Sequence, residues 1–183
     1  LPLSHSYEHT AGLHLPIQIA AEVWYCEGRD KIAANLTEVK PTLMTAVPRL
    51  YELLHDRITK GVTAKGGLSA KLFWMAVTLG RKKLSGQRLN MTETFLDKCL
   101  DVLVRKKVRQ RFGGRLAFFV SGGAALNPDI GSFFLSLGVN ILQGYGQTEA
   151  SPLISANRPG RIRIETVGPA VDGVEIKLAG DGE

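Results

Sequence analysis

The segment from Leu116 to Glu149 constrains this chain most. Leu116-Ala117-Phe118-Phe119-Val120 is continuously apolar, the pattern of a strand buried on both faces. Ser121-Gly122-Gly123-Ala124-Ala125 follows as a loop of small residues, and Asn127-Pro128 then caps and starts a helix that should run to about Leu137. Gly138 ends that helix, Val139 to Gln143 reads as a second short apolar strand, and Gly144-Tyr145-Gly146-Gln147-Thr148-Glu149 completes the unit. Strand, loop, helix, strand implies a parallel pair joined by a right-handed crossover. The expected fold is therefore α/β, a three-layer, doubly wound and mostly parallel sheet.

The remaining segments fit helices around such a sheet. Residues 10–21 read as a helix interrupted by Pro16, Glu22 to Cys26 as a short strand, and residues 30–39 as a helix. Thr42 to Val47 reads as a strand, and Pro48 suits the first turn of a helix over 48–60, where its missing N–H costs little. Residues 61–67 look like a loop, Leu68 to Leu79 an apolar helix, and Gly80 to Gln87 a second loop. Asn90-x-x-Glu93 is a capping box. It opens a helix whose apolar positions, Phe95/Leu96, Cys99/Leu100, Leu103/Val104 and Val108, repeat at helical spacing, with acids early and bases late. Val174 to Leu178 alternates like a half-buried strand and Ala179 to Glu183 reads as a turn, so a strand should return beyond them. With no initiator Met at the start either, the sequence reads as an excerpt. The expected division is an α/β subdomain over 1–160, carrying a basic helical insert at about 61–90, and the start of a following β subdomain over 161–183.

Composition narrows the partners. Of 183 residues 44% are hydrophobic and 22% charged, ordinary for a globular domain, and the net charge is +6. No run approaches the ~20 apolar residues that span a bilayer, and no secretory signal is visible. The expected location is cytoplasmic, or peripheral to a membrane. Between Arg57 and Thr92 there are eight Lys and Arg residues and no acid. Leu68 to Val77, apolar and flanked by Lys71, Arg81, Lys82 and Lys83, could lie in a membrane interface or pack on its own domain. No nucleic-acid-binding motif accompanies this charge, so no nucleic-acid partner is expected. Cys26 and Cys99 have no metal or redox spacing and read as buried, reduced thiols.

Chemistry should sit beyond the carboxyl ends of the parallel strands, where open sheets bind ligands. Both glycine segments follow a strand, and glycine lets backbone approach a ligand closely. Tyr145 offers a flat face for a base, Thr148 a hydroxyl for a phosphate oxygen, and Glu149 a hard carboxylate oxygen suited to Mg²⁺ shared with phosphate. The alternative on spacing alone is that Tyr145 packs in the core while Thr148 and Glu149 cap a helix.

A resemblance bears on that choice. Tyr145-Gly146-Gln147-Thr148-Glu149 resembles the Tyr-Gly-x-Thr-Glu signature of the acyl-adenylate-forming superfamily, and Ser121 to Leu126 its Gly-Gly-Ala loop about twenty residues upstream. Leu1-Pro2-Leu3-Ser4-His5 is similar to its Leu-Pro-x-x-His segment. Val39 to Thr42 and Val47 to Glu52 resemble the long-chain fatty acid–CoA ligase branch. Val167 to Glu175 is similar to the Val-Gly-x-Pro-x-x-Gly stretch, although Pro169 here directly follows Gly168. The likeness runs along nearly the whole chain in the family's order.

The resemblance implies ATP-dependent activation of a long-chain fatty acid as an acyl-adenylate, then transfer to coenzyme A, with ATP, Mg²⁺ and coenzyme A required. Tyr145 would stack on adenine, between Gly144 and Gly146. Gly123 and Ala124 would border the adenine edge through their backbone, with Gly122 beside them in the same cofactor-binding loop. Thr148 would touch the α-phosphate, Glu149 would hold Mg²⁺, and His5 would sit near the acyl carboxylate. His9 falls near a position that gates the acyl tunnel in some relatives. The family's triphosphate loop, its ribose-binding Arg-Thr-Gly-Asp segment and its C-terminal lysine have no counterpart in these residues, so the chain alone is expected to be inactive. Other expectations are an adenylate former for aryl or shorter acids, or a membrane-surface module without catalysis.

Overall fold

The computed structural model describes residues 2–180; Leu1 and the Asp181-Gly182-Glu183 end of the expected C-terminal turn lie outside the described residues. Four strands form one sheet in the order β1-β2-β3-β4: Leu43–Ala46, Phe118–Ser121, Ile141–Gly146 and Leu153–Ala156. The first three are parallel, with Ala46 opposite Ser121 and Ser121 opposite Gln143. β4 is antiparallel to β3, with an irregularity at Tyr145/Gly146. A Cβ on Gly146 would collide with the Pro152 carbonyl, so only glycine permits the chain to double back this closely.

The sheet lies between two layers. On one face Phe119 and Ile141 are fully buried against helices α4 (Pro48–Lys65), α5 (Gly67–Leu84) and α8 (Pro128–Ser136). Tyr51, Phe73, Phe112, Phe133 and Phe134 fill the space in edge-to-face and tilted pairs, Tyr51 meeting Phe119 at a ring separation of 5.5 Å. On the other face the N-terminal segment is helical: α1 (Ser6–Glu8), a π-helical stretch His9–His14, and α2 (Leu15–Gln18). Thr45 on β1 donates to the Glu8 carboxylate at 3.1 Å across this layer boundary.

Several element boundaries differ from those expected. The first helix begins at Ser6, not residue 10, and it continues through Pro16. The π turn ahead of Pro16 shifts hydrogen bonding to wider spacing, as in Leu15 N–H to Thr10 O, next to the position where Pro16 has no N–H to give. Helix α4 passes through Gly61 and stops only at Gly66 and Gly67, both with positive φ. Helix α5 passes through Gly80 to Leu84, and Gly80 is where α8 comes close: a Cβ there would stand 2.5 Å from the Ser136 carbonyl oxygen. In both helices tertiary packing overrides glycine's ~1 kcal/mol disadvantage. Glu22 to Cys26 is not a strand. Trp24 and Tyr25 are exposed there, and among the described residues nothing pairs with that backbone. Val174 to Leu178 likewise has no strand partner among the described residues, whereas β4 was not anticipated. Cys26 is exposed rather than buried and Cys99 is half-buried; both are free thiols.

The capping box forms as expected. Asn90 Oδ1 accepts from Glu93 N–H at 2.8 Å, and Glu93 Oε2 accepts from Asn90 N–H at 2.9 Å, opening α6 (Met91–Leu100). A π turn, Asp101–Arg105, then leads into α7 (Lys106–Arg111), which meets α3 (Ile32–Val39). Arg105, one of the cations expected on the helix's basic end, is instead 5% exposed. Its guanidinium donates to the Ser136 carbonyl at 2.8 Å, the Ala76 carbonyl at 2.8 Å, the Asp97 carbonyl at 3.2 Å and the Asp97 carboxylate at 2.6 Å. This one side chain joins α5, α6 and α8. Burial opposes charge on Asp97, but hydrogen bonds from Lys83 and Arg105 outweigh it and hold the carboxyl below the usual carboxylate range.

Candidate functional site

The parallel register decides where the two glycine turns go. Because Ser121 sits opposite Gln143, Gly122–Ala124 and Gly144–Gly146 leave neighbouring strands at the same edge of the sheet. The first turn is tied back to β1 by Gly122 N–H donating to the Ala46 carbonyl at 3.3 Å. Gly122 is buried; Gly123, with φ of 83°, and Ala124 are exposed. The second segment is strand through Gly146, longer than the expected 139–143, because β4 pairs with its outer half. Tyr145 is 46% exposed, so its ring is not core, and its hydroxyl accepts from Gln147 Nε2 at 2.9 Å. Thr148 and Glu149 form a short 3₁₀ turn, Thr148–Ala150, and both side chains are exposed.

The N-terminal segment closes on the same edge. Ser4, His5, Ser6, His9 and Thr148 line one open cavity of about 450 Å³. His5 and Thr148, chosen from distant motifs, therefore share a wall. His5 caps α1, its Nδ1 accepting from Tyr7 N–H at 3.2 Å. That bond leaves the ring proton on Nε2, where it can be donated to an anionic oxygen. His9 contacts the Leu3 carbonyl through Nδ1 at 3.2 Å and His14 through Nε2 at 2.9 Å.

Three supporting residues were missed. Tyr7 donates its hydroxyl to the Val120 carbonyl at 2.9 Å, and its ring lies over Gly122, where a Cβ would stand 3.2 Å away. Burial, with the Glu8 carboxylate beside it, pushes the Tyr7 phenol up, so it stays a neutral donor. Gln143 is 5% exposed: its Oε1 accepts from Leu126 N–H at 3.0 Å and its Nε2 donates to the Ile164 carbonyl at 2.6 Å. It braces the end of the first turn against the 157–166 segment. A glutamine closing an apolar strand was the available signal. Ser6 bonds Thr148, its Oγ lying 2.9 Å from Thr148 Oγ1 across 142 positions of sequence, and only its place beside His5 could have flagged it.

The donor set suits magnesium shared with a nucleotide. Among the described residues no cluster of three or more His, Cys, Asp or Glu side chains exists that could hold an ion unaided. Mg²⁺ commonly takes one or two carboxylates and completes its shell with water and substrate phosphates. A single exposed carboxylate, Glu149, three residues past Gly146 fits that pattern.

The basic stretch is partly committed elsewhere. Lys82 pairs with Glu93 at 2.7 Å, Lys83 with Asp97 at 2.9 Å, and Arg81 donates to the Asp129 carbonyl at 3.0 Å. Among the described residues no helix is long and apolar enough to cross a membrane.

The fold matches that of known proteins. The anthranilate CoA ligase AuaEII, solved with anthranoyl-AMP, superposes with a TM-score of 0.58 at 20% identity, covering 99% of this chain and 27% of its own. A benzoate CoA ligase from Burkholderia xenovorans gives 0.57 at 23%, covering 99% and 28%. This is the mixed α/β architecture of the N-terminal domain of adenylate-forming ligases. The family follows from sequence: the AMP-binding enzyme model matches residues 1–183, and the chain belongs to that family. It is 32% identical to the peroxisomal long chain acyl-CoA synthetase 7 of Arabidopsis thaliana, over 97% of this chain and 25% of that protein. It is 31% identical to a putative fatty-acid–CoA ligase of Mycobacterium tuberculosis, over 100% of this chain and 33% of that protein. The chain thus spans a quarter to a third of the length of these relatives.

Proposed function

We propose that this chain forms the adenylate-binding part of an AMP-forming long-chain fatty acid–CoA ligase. The observation that carries the reading is the meeting of both glycine turns, His5 and Thr148 at one edge of the sheet. The names of these relatives, long-chain acyl-CoA synthetases and fatty-acid–CoA ligases, support the acyl class.

In this reading adenine stacks on Tyr145 and its edge meets backbone at Gly123 and Ala124; Gly122 lies beneath the Tyr7 ring and Gly144 and Gly146 pack against the 152–156 segment, so these three shape the turns. The fatty acid carboxylate, oriented by the His5 Nε2–H, attacks the α-phosphorus of ATP. A P–O bond forms to the acyl oxygen, the bond to pyrophosphate breaks, and pyrophosphate leaves. Thr148 donates its hydroxyl to an α-phosphate oxygen. Glu149 would hold Mg²⁺, which would supply charge neutralisation on the phosphates. The coenzyme A thiol then adds to the acyl carbon, loses its proton, and AMP departs. These residues contribute by positioning and by stabilising negative charge. The 183-residue chain spans a quarter to a third of these relatives, and by itself it is expected to be inactive.

The test is acyl-CoA formation with palmitate, benzoate and acetate, using the full-length protein and this chain side by side. The proposal expects palmitate turnover by the full-length protein alone. Turnover with benzoate but not palmitate would reassign the acid, and turnover by the chain would refute its expected inactivity. Peripheral membrane contact through residues 68–88 is a secondary proposal resting on exposed Leu68, Trp74 and Met75. Co-sedimentation with anionic liposomes that survives replacing Leu68, Trp74 and Met75 with Ser would remove it.

A further inference from the structure

Two neighbouring residues of the N-terminal helix reach the two turns of the candidate site separately. Tyr7 fastens to the end of β2 through the Val120 carbonyl and covers Gly122. Ser6, one residue earlier, meets the Thr148 hydroxyl at 2.9 Å. The backbone carrying Ser6 is held on both sides: His5 caps Tyr7 N–H, and His9 N–H donates to the His5 carbonyl at 2.9 Å. What remains free is the rotation of the two hydroxyl protons.

Each hydroxyl has one proton to give and two lone pairs to receive with. Between Ser6 and Thr148 either oxygen can be the donor while no anion is present. A phosphate oxygen at Thr148 removes that freedom, because it only accepts. Thr148 must then spend its proton on the phosphate, and its bond to Ser6 survives only with Ser6 as donor. We propose that Ser6 is a positioning residue for the α-phosphate: it donates to Thr148 Oγ1 and so aims the Thr148 proton at the nucleotide. The inference rests on the nucleotide reading of Thr148 given above. The relay Ser6 O–H to Thr148 O–H to phosphate is polarised along its length by the anion, which strengthens both links. The N-terminal segment would thereby sense the phosphate as well as the acyl carboxylate near His5.

A double-mutant cycle in the full-length protein tests this, with AMP affinity by calorimetry, ATP kinetics and thermal melting as readouts. Thr148→Ala should weaken AMP binding by roughly ten- to a hundredfold, the range for a hydrogen bond to a charged group. Ser6→Ala should weaken it by about three- to tenfold, as for one neutral hydrogen bond. It should raise KM for ATP, leave KM for the fatty acid unchanged, and leave Tm unchanged, since both hydroxyls are near the surface. Ser6→Thr, which keeps the hydroxyl, should bind AMP as the parent does. In a Thr148→Ala background, Ser6→Ala should add nothing. No effect of Thr148→Ala would overturn the nucleotide reading itself. A loss from Thr148→Ala with none from Ser6→Ala, or an undiminished Ser6 effect in the Thr148→Ala background, would overturn the Ser6 proposal alone. So would a fall in Tm accompanied by equal losses toward ATP, fatty acid and coenzyme A.

Discussion

The helical layer around Arg105 and the turns around Thr148 use the same kinds of groups in opposite ways. In the layer, a cation is fully enclosed and four acceptors on three helices take up its protons. At the edge, Tyr145, Thr148 and Glu149 are exposed, and their polar atoms are engaged lightly or with one another's neighbours. A group whose partners are all inside the protein stabilises the fold. A group left open at a sheet's carboxyl edge is available to a ligand. The contrast predicts that stability and nucleotide affinity respond to different substitutions.

The largest effect should come from Arg105→Ala. It removes the buried partner of the Asp97 carboxylate and one donor from each of three carbonyls, and should cost about 3–5 kcal/mol of stability, read as a fall in denaturation midpoint of the full-length protein. A loss under ~1 kcal/mol would mean that Lys83 alone satisfies Asp97. Tyr145→Ala should cut AMP affinity by about 1–3 kcal/mol, the range for stacking on an aromatic face, while Tm stays within a degree or two. A large Tm loss with unchanged affinity would move Tyr145 to the structural side of the comparison. Asn90→Ala removes a cap and should cost ~1 kcal/mol of stability with no change in AMP affinity. The smallest effect is acid sensitivity. Asp97 and Asp101 have carboxyls held below their ordinary range, Asp101 chiefly by its hydrogen bonds from Arg109. Their stabilisation is fully present above the unfolded carboxylate pKa of about 4 and is lost as pH falls through the depressed folded values. Asp97→Asn should flatten the stability decline below that pH, and an unchanged decline would assign it to other groups.

The same division governs how much the sequence revealed. The strand–turn–helix–strand unit was legible because its apolar runs, Asn127-Pro128 cap and Gly138 stop act locally. Tyr145, Thr148 and the first glycine turn were placed at one edge by register alone. What escaped was long-range. Gly61 and Gly80 signal breaks locally, yet packing carries both helices through, and at Gly80 the missing side chain is what lets α8 approach. Arg105 reads as a surface cation because nothing near it in sequence announces Ala76 and Ser136. Val23, Trp24 and Tyr25 have strand-forming side chains, but strand structure depends on a neighbour's backbone. Ser6, Tyr7 and Gln143 are ordinary residues given their roles by partners more than a dozen positions away.

A crystal structure of the full-length protein with a non-hydrolysable acyl-adenylate analogue should show the purine ring stacked on Tyr145, its edge within hydrogen-bond distance of backbone at Gly123 or Ala124, and the phosphate mimic beside Thr148. A purine bound away from both turns, or touching one turn while the other faces solvent, would contradict the nucleotide reading.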